Sequence, residues 1–75
     1  MGQQHDGPAI GIDIGGTKIA GALVDVEGRI THRERVETPA DDTDAIIEAT
    51  ARLVSTLEDA AADEVAGVGI ACAAF

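Results

Sequence analysis

Apolar and polar positions alternate strictly through "AIGIDIG", residues 9 to 15. Ile10, Ile12 and Ile14 fall on one face, with Gly11, Asp13 and Gly15 on the other, which is the period of a β-strand. "GGT" interrupts the pattern, and "KIAGALVD" resumes it as a second strand. A glycine pair between two apolar runs signals a hairpin, so these strands are expected to be antiparallel. "VEG" marks another turn, with Gly28 free to take a positive φ. "RITHRERVETP" then alternates as a third strand, with Ile30 and Val36 read as inward, Arg33 and Arg35 as a solvated face, His32 as an exposed edge residue and Pro39 as the stop.

From residue 43 the apolar spacing changes from two to three and four. Ile46, Ala49, Leu53, Leu57 and Ala60, with Ile47 and Val54 beside them, make one stripe of a helix over 43–61. Asp41, Asp42 and Thr43 offer N-cap oxygens, and Asp44 and Glu48 suit the positive end of the helix dipole. "VAGVGIACA" reads as a fourth strand, over 65–71, apolar on both faces and therefore central in its sheet. The helix would return it beside the first strand, parallel, as a right-handed crossover. The expected order is β-β-β-α-β over residues 9–75, after a disordered polar leader at 1–8. Cys72 reads as a small buried residue.

Composition narrows the class. Seventy-five residues allow one small domain with a thin core. The chain has one Phe and no Tyr or Trp, so that core is aliphatic. A single cysteine leaves no internal disulfide and fits a reducing compartment. The start "MGQQHDGP" lacks the apolar stretch of a signal peptide, Asp6 stands where a myristoylation motif needs Ser or Thr, and no apolar run approaches the length of a membrane span. A cytoplasmic protein is the expectation. With 14 acids against 5 bases, the net charge of −9 argues against nucleic acid as a partner. It leaves room for a small phosphate ligand, which one lysine and a few amides can hold.

Two phosphate motifs fail. Gly11, Gly16 and Lys18 nearly match G-x-x-x-x-G-K-[ST], but Thr17 precedes the lysine and a strand pattern follows where a helix should open. Gly67 and Gly69 lack the third glycine of a dinucleotide fingerprint. A plain hairpin turn would account for Gly15 and Gly16 but not for Asp13, because aspartate is depleted in strand interiors and a carboxylate there needs a partner or open solvent. A hydrated magnesium ion is such a partner. The turn adds the backbone amides of Gly15, Gly16 and Thr17, the Thr17 hydroxyl and the Lys18 ammonium, and glycine removes the side chains that would block close approach. Carboxylate for metal and amides, hydroxyl and lysine for phosphate form a coherent site for a nucleotide triphosphate.

"GIDIGGTKIAGALVD", with the order β-β-β-α-β and the closing "GVGIACAAF", resembles the N-terminal part of the ROK family of sugar kinases and repressors. That family lies in the actin-like, hexokinase-like ATPase superfamily, and the Ala-rich segment after the fourth strand is most similar to actinobacterial-type glucokinases. The resemblance implies an α/β, ribonuclease H-like (actin-like) subdomain, truncated, from an ATP-dependent hexose kinase, glucose being the leading substrate. It implies Asp13 as the magnesium-facing carboxylate, acting through water. Gly15, Gly16, Thr17 and Lys18 become the turn on the β- and γ-phosphates, and Ala73 and Ala74 the border of a sugar loop. The family's catalytic aspartate, adenine pocket and cysteine-rich zinc cluster match nothing in these 75 residues, so the base and any zinc are expected beyond residue 75 and the piece alone is expected to be inactive. A homo-oligomer of the longer parent is compatible with the family. The alternative is a sugar-responsive ROK repressor or non-catalytic sugar-binding relative. A repressor would need a DNA-binding module before the phosphate motif, and the leader is neither long nor basic enough for one.

Overall fold

The computed structural model describes residues 7–39 and 42–72. The strands are β1 (Ala9–Ile14), β2 (Lys18–Val24), β3 (Ile30–Glu37) and β4 (Gly67–Cys72), and the helix is α1 (Thr43–Ala60), between β3 and β4. One sheet runs β3-β2-β1-β4. β1 pairs antiparallel with β2, β2 antiparallel with β3, and β4 parallel with β1. The expected meander, helix and parallel return are all present, with boundaries displaced by a residue or two as helix and strand ends commonly are.

The helix covers one face of the sheet. Ile10 and Ile12 of β1, Ile19 and Leu23 of β2, and Ala49, Leu53 and Leu57 of α1 form the core, with Ile14, Ile46, Val54, Ala61 and Val65 packed against it. Each fully buried Ile or Leu contributes about 1.5–3 kcal/mol. Gly21 lies on this face, where a Cβ would come within 2.7 Å of Leu57 Cδ1, 3.0 Å of Ile12 Cδ1 and 3.2 Å of Leu53 Cδ2. A glycine there lets the helix approach β2. Thr50 is buried because its hydroxyl donates to the Ile46 carbonyl at 2.8 Å. Asp42 caps the helix, its carboxylate accepting from the Ala45 N–H at 3.2 Å.

The β2–β3 hairpin closes on Asp25. Its Oδ1 accepts from the N–H groups of Glu27 and Arg29, each at 2.9 Å, and Gly28 takes a φ of 87° as expected. The Arg29 N–H, above all, holds the Asp25 carboxyl below the ordinary aspartate range; desolvation opposes it, and the Glu27 N–H and the Arg29 guanidinium add to the lowering.

Four expectations change. Ile30 is 48% exposed and not inward, and Val36, though inward as expected, is still 39% exposed. A register shift at Leu23/Val24 sets Ile30 opposite Val24, on the uncovered face, while Val36 opposite Ile19 keeps the helix face but lies on the edge strand. β4 is an edge strand, not a central one, and all six of its residues are exposed. Cys72 is consequently exposed rather than buried. Of the expected leader, residues 1–6 lie outside the described residues, whereas Pro8 is buried and its carbonyl accepts from the Ala66 N–H at 2.7 Å.

Candidate functional site

β1 and β2 meet at a turn whose residues are Gly15, Gly16, Thr17 and Lys18. The Gly15 N–H donates to the Lys18 carbonyl at 2.9 Å and closes it. Thr38, just past β3, holds the turn from the side: its N–H donates to the Thr17 carbonyl at 2.9 Å and its hydroxyl to the Gly15 carbonyl at 2.9 Å. Both backbone groups of Gly15 are thus engaged inside the protein. The Gly15 amide, expected to face phosphate, instead shapes the turn. Among the described residues, the N–H groups of Gly16 and Thr17 have no protein acceptor.

Gly16 and Thr17 both lie at the surface, and a Cβ built on Gly16 meets nothing within 4 Å. Neither Gly15 nor Gly16 takes a positive φ. Their value is therefore lack of bulk rather than unusual backbone freedom. At Gly15 a Cβ would press to 3.1 Å from the Lys18 carbonyl oxygen.

Lys18 begins β2 opposite Glu37 of β3, with its Nζ 3.8 Å from Glu37 Oε2. Both side chains are more than half exposed. Such a pair is worth about 0–1 kcal/mol, so an anion of higher charge can displace the carboxylate.

Asp13 faces away from the helix. Its neighbours across the ladder are Ala20 of β2 and Ala71 of β4, so small side chains flank it on both sides. The uncovered face forms a shallow hollow in which Gly11, Asp13, Ala20, Ala22, Gly69 and Ala71 make the floor and Arg33 and Arg35 the β3 rim. Asp13 is exposed and makes no hydrogen bond or ion pair with any described residue. No three His, Cys, Asp or Glu side chains converge among the described residues. A lone open carboxylate fits a magnesium ion that keeps several waters, and does not fit a zinc cage. Ala73 and Ala74 lie outside the described residues.

Sequence reasoning assembled Asp13 and residues 15–18 but missed Thr38. Its only local signal is the following Pro39, which holds the preceding residue extended and ends the ladder.

A model of the ROK family matches residues 9–75. The chain is 44% identical over 69 residues to a glucokinase of Streptomyces coelicolor, covering 92% of this chain and 21% of that protein. It is 50% identical over 50 residues to an N-acetylmannosamine kinase of Escherichia fergusonii, covering 65% of this chain and 17% of that one. Its fold matches the crystal structure of a ROK family glucokinase from Streptomyces griseus in complex with glucose and AMPPNP, with a TM-score of 0.79, 40% identity and coverage of 92% of this chain and 21% of that one. The chain therefore spans about a fifth of the length of these proteins.

Proposed function

The chain belongs to the ROK family, and from that premise we propose that it is the N-terminal part of an ATP-dependent hexose kinase, with the β1–β2 turn as its triphosphate cradle. The observation that carries the reading is the exposed pair Gly16 and Thr17, whose amides have no acceptor among the described residues, beside the Lys18 ammonium and starting three residues beyond the open carboxylate of Asp13. The sugar kinases among its relatives, and the AMPPNP and glucose bound to its structural neighbour, support the same reading.

In this reading the Gly16 and Thr17 amides and the Thr17 hydroxyl donate to phosphate oxygens. Lys18 leaves Glu37 and offsets the charge that builds as the γ-phosphoryl moves to a sugar hydroxyl. Asp13 would hold magnesium through its waters, and the ion would supply charge neutralisation between phosphate oxygens. The proton acceptor for the sugar hydroxyl would come from elsewhere in a longer protein. Glucose is the proposed acceptor, because the match to glucokinases runs through 92% of the chain and that to the N-acetylmannosamine kinase through 65%.

The test is a graft. Residues 9–75 replace the corresponding part of the Streptomyces coelicolor glucokinase, and ATP-dependent phosphorylation of glucose and of N-acetylmannosamine is measured. The chimera should phosphorylate glucose, and Asp13→Asn should lower turnover far more than glucose binding. A folded chimera that turns over normally with Asp13→Asn and with Lys18→Ala would reduce the turn to a plain hairpin.

A further inference from the structure

We propose that Thr38 is a positioning residue for the triphosphate, holding the β1–β2 turn so that the Gly16 and Thr17 amides point outward together; this rests on the phosphate reading of that turn. The two bonds that Thr38 makes are of different kinds. Its N–H to the Thr17 carbonyl is simply the next rung after the Lys18–Glu37 pair, and any residue but proline could supply it. Its hydroxyl to the Gly15 carbonyl crosses from the end of β3 to the far side of the turn, 23 residues away in sequence. The short hydroxyl side chain of Thr38 makes both at once.

The consequence is selective. With Gly15 N–H on the Lys18 carbonyl, and the Gly15 and Thr17 carbonyls on Thr38, four of the turn's backbone groups are fixed, and the Gly16 and Thr17 donors are among those that remain for a ligand. A turn that carries two adjacent glycines has little intrinsic stiffness. Without the side clamp it samples other peptide orientations, and an anion must select the competent one at a cost in affinity. Pro39 adds to the device. It restricts Thr38 to extended backbone and offers no N–H, so the strand stops with the threonine set beside the turn. No side chain of Thr38 need touch the phosphate for this to work.

The experiment follows amide signals of the isotope-labelled 75-residue chain as AMPPNP with magnesium is added, for the wild type, Thr38→Ser and Thr38→Val. Val keeps the shape and the backbone rung and removes the hydroxyl. In the wild type the Gly16 and Thr17 amides should shift and saturate. Thr38→Ser should bind within about twofold of wild type, and Thr38→Val about three- to tenfold more weakly, the loss expected for one hydrogen bond. Unchanged Ile12 and Ile19 signals establish that the sheet is intact. If Thr38→Val unfolds the isolated chain, the glucokinase chimera carries the same substitution, where KM for ATP should rise about three- to tenfold with KM for glucose unchanged. Equal affinities for wild type and Thr38→Val, or a Thr38→Ser loss as large as that of Thr38→Val, would overturn the positioning role while leaving the cradle standing. If the isolated chain shows no saturable shift, the chimera decides: an unchanged KM for ATP with both Gly16→Val and Lys18→Ala would overturn the cradle itself and Thr38's role with it.

Discussion

At the scale of single residues, the site separates bulk from charge. Gly16 faces open space, so Gly16→Val should leave the fold intact while its branched carbons occupy the approach to the two amides. In the glucokinase chimera it should cost more turnover than Lys18→Ala. Removing the lysine would delete the one charge-assisted contact proposed for it, about 1.5–3 kcal/mol or roughly ten- to a hundredfold in rate. Steady-state kinetics of the two variants side by side decide the order. Gly21 is the opposite case. A methyl there meets three buried side-chain ends at 2.7–3.2 Å, so Gly21→Ala should destabilise the chain by about 1–3 kcal/mol without touching the turn, read by a urea melt. Asp25 sets an acid limit on the β2–β3 hairpin. Its carboxyl is lowered in the folded chain, so its stabilising bonds are fully present above the unfolded value of 3.8 and fade as pH falls through the lower folded value. Asp25→Asn should flatten the acid limb of a stability-against-pH curve over that window.

The helix shows what an element owes to its ends. Its N-terminus is well served: Asp42 caps it and Asp44 sits in the first turn. Its C-terminus is not, since no basic residue lies in the last turn and Glu58 and Asp59 stand near the negative end of the dipole. Asp42→Ala should therefore cost about 1 kcal/mol, and Asp59→Lys should gain about 0.3–1 kcal/mol at low salt. Thermal melts in low and high salt check both, because the gain from Asp59→Lys should shrink as ions screen it. Cap and stripe were plain in the sequence because both are local, fixed by spacings of three and four. The partial exposure of Ile47, at 61%, was not, since it depends on how far the sheet extends beneath the helix.

The molecule as a whole has one guarded edge and one bare one. β3 carries Arg33, Glu34, Arg35 and Glu37 and is followed by Pro39, devices that discourage pairing with another chain. β4, "GVGIAC", carries no charge, and Val68 and Ile70 are 44% and 58% exposed on the helix side of the sheet. On that side Ile14, Ile46, Ile47, Val54 and Ile70 line an open apolar groove of about 410 Å³. A core this small supports about 3–5 kcal/mol of stability at most, and the bare edge adds none. The 75-residue chain should accordingly unfold in urea with an extrapolated stability below about 5 kcal/mol. In hydrogen exchange the β4 amides should open before those of β1 and β2. Protection of β4 equal to that of β1 would show that the edge is covered in solution.

The sequence by itself determined the order of elements, the two turns, the helix cap and the placing of Asp13 beside a Gly-Gly-Thr-Lys turn. Each of these follows from rules that act within a few residues: alternation, helical spacing, and the turn chemistry of Gly28 and the glycine pair. Tertiary structure alone decided the rest. One extra residue at the Leu23/Val24 shift moved Ile30 to the uncovered face, and no pattern within β3 encodes a slip defined by its partner strand. β4 has the apolar make-up of a central strand, yet whether a strand is central depends on what pairs with its other side, so Val68, Ile70 and Cys72 are exposed. The Thr38 hydroxyl reaches Gly15 only because β2 and β3 lie side by side, and a contact across 23 residues leaves no trace in local spacing. The residues proposed to carry the chemistry could thus be read along the chain, while the Thr38 hydroxyl that bonds the turn became visible only once the strands were laid next to one another.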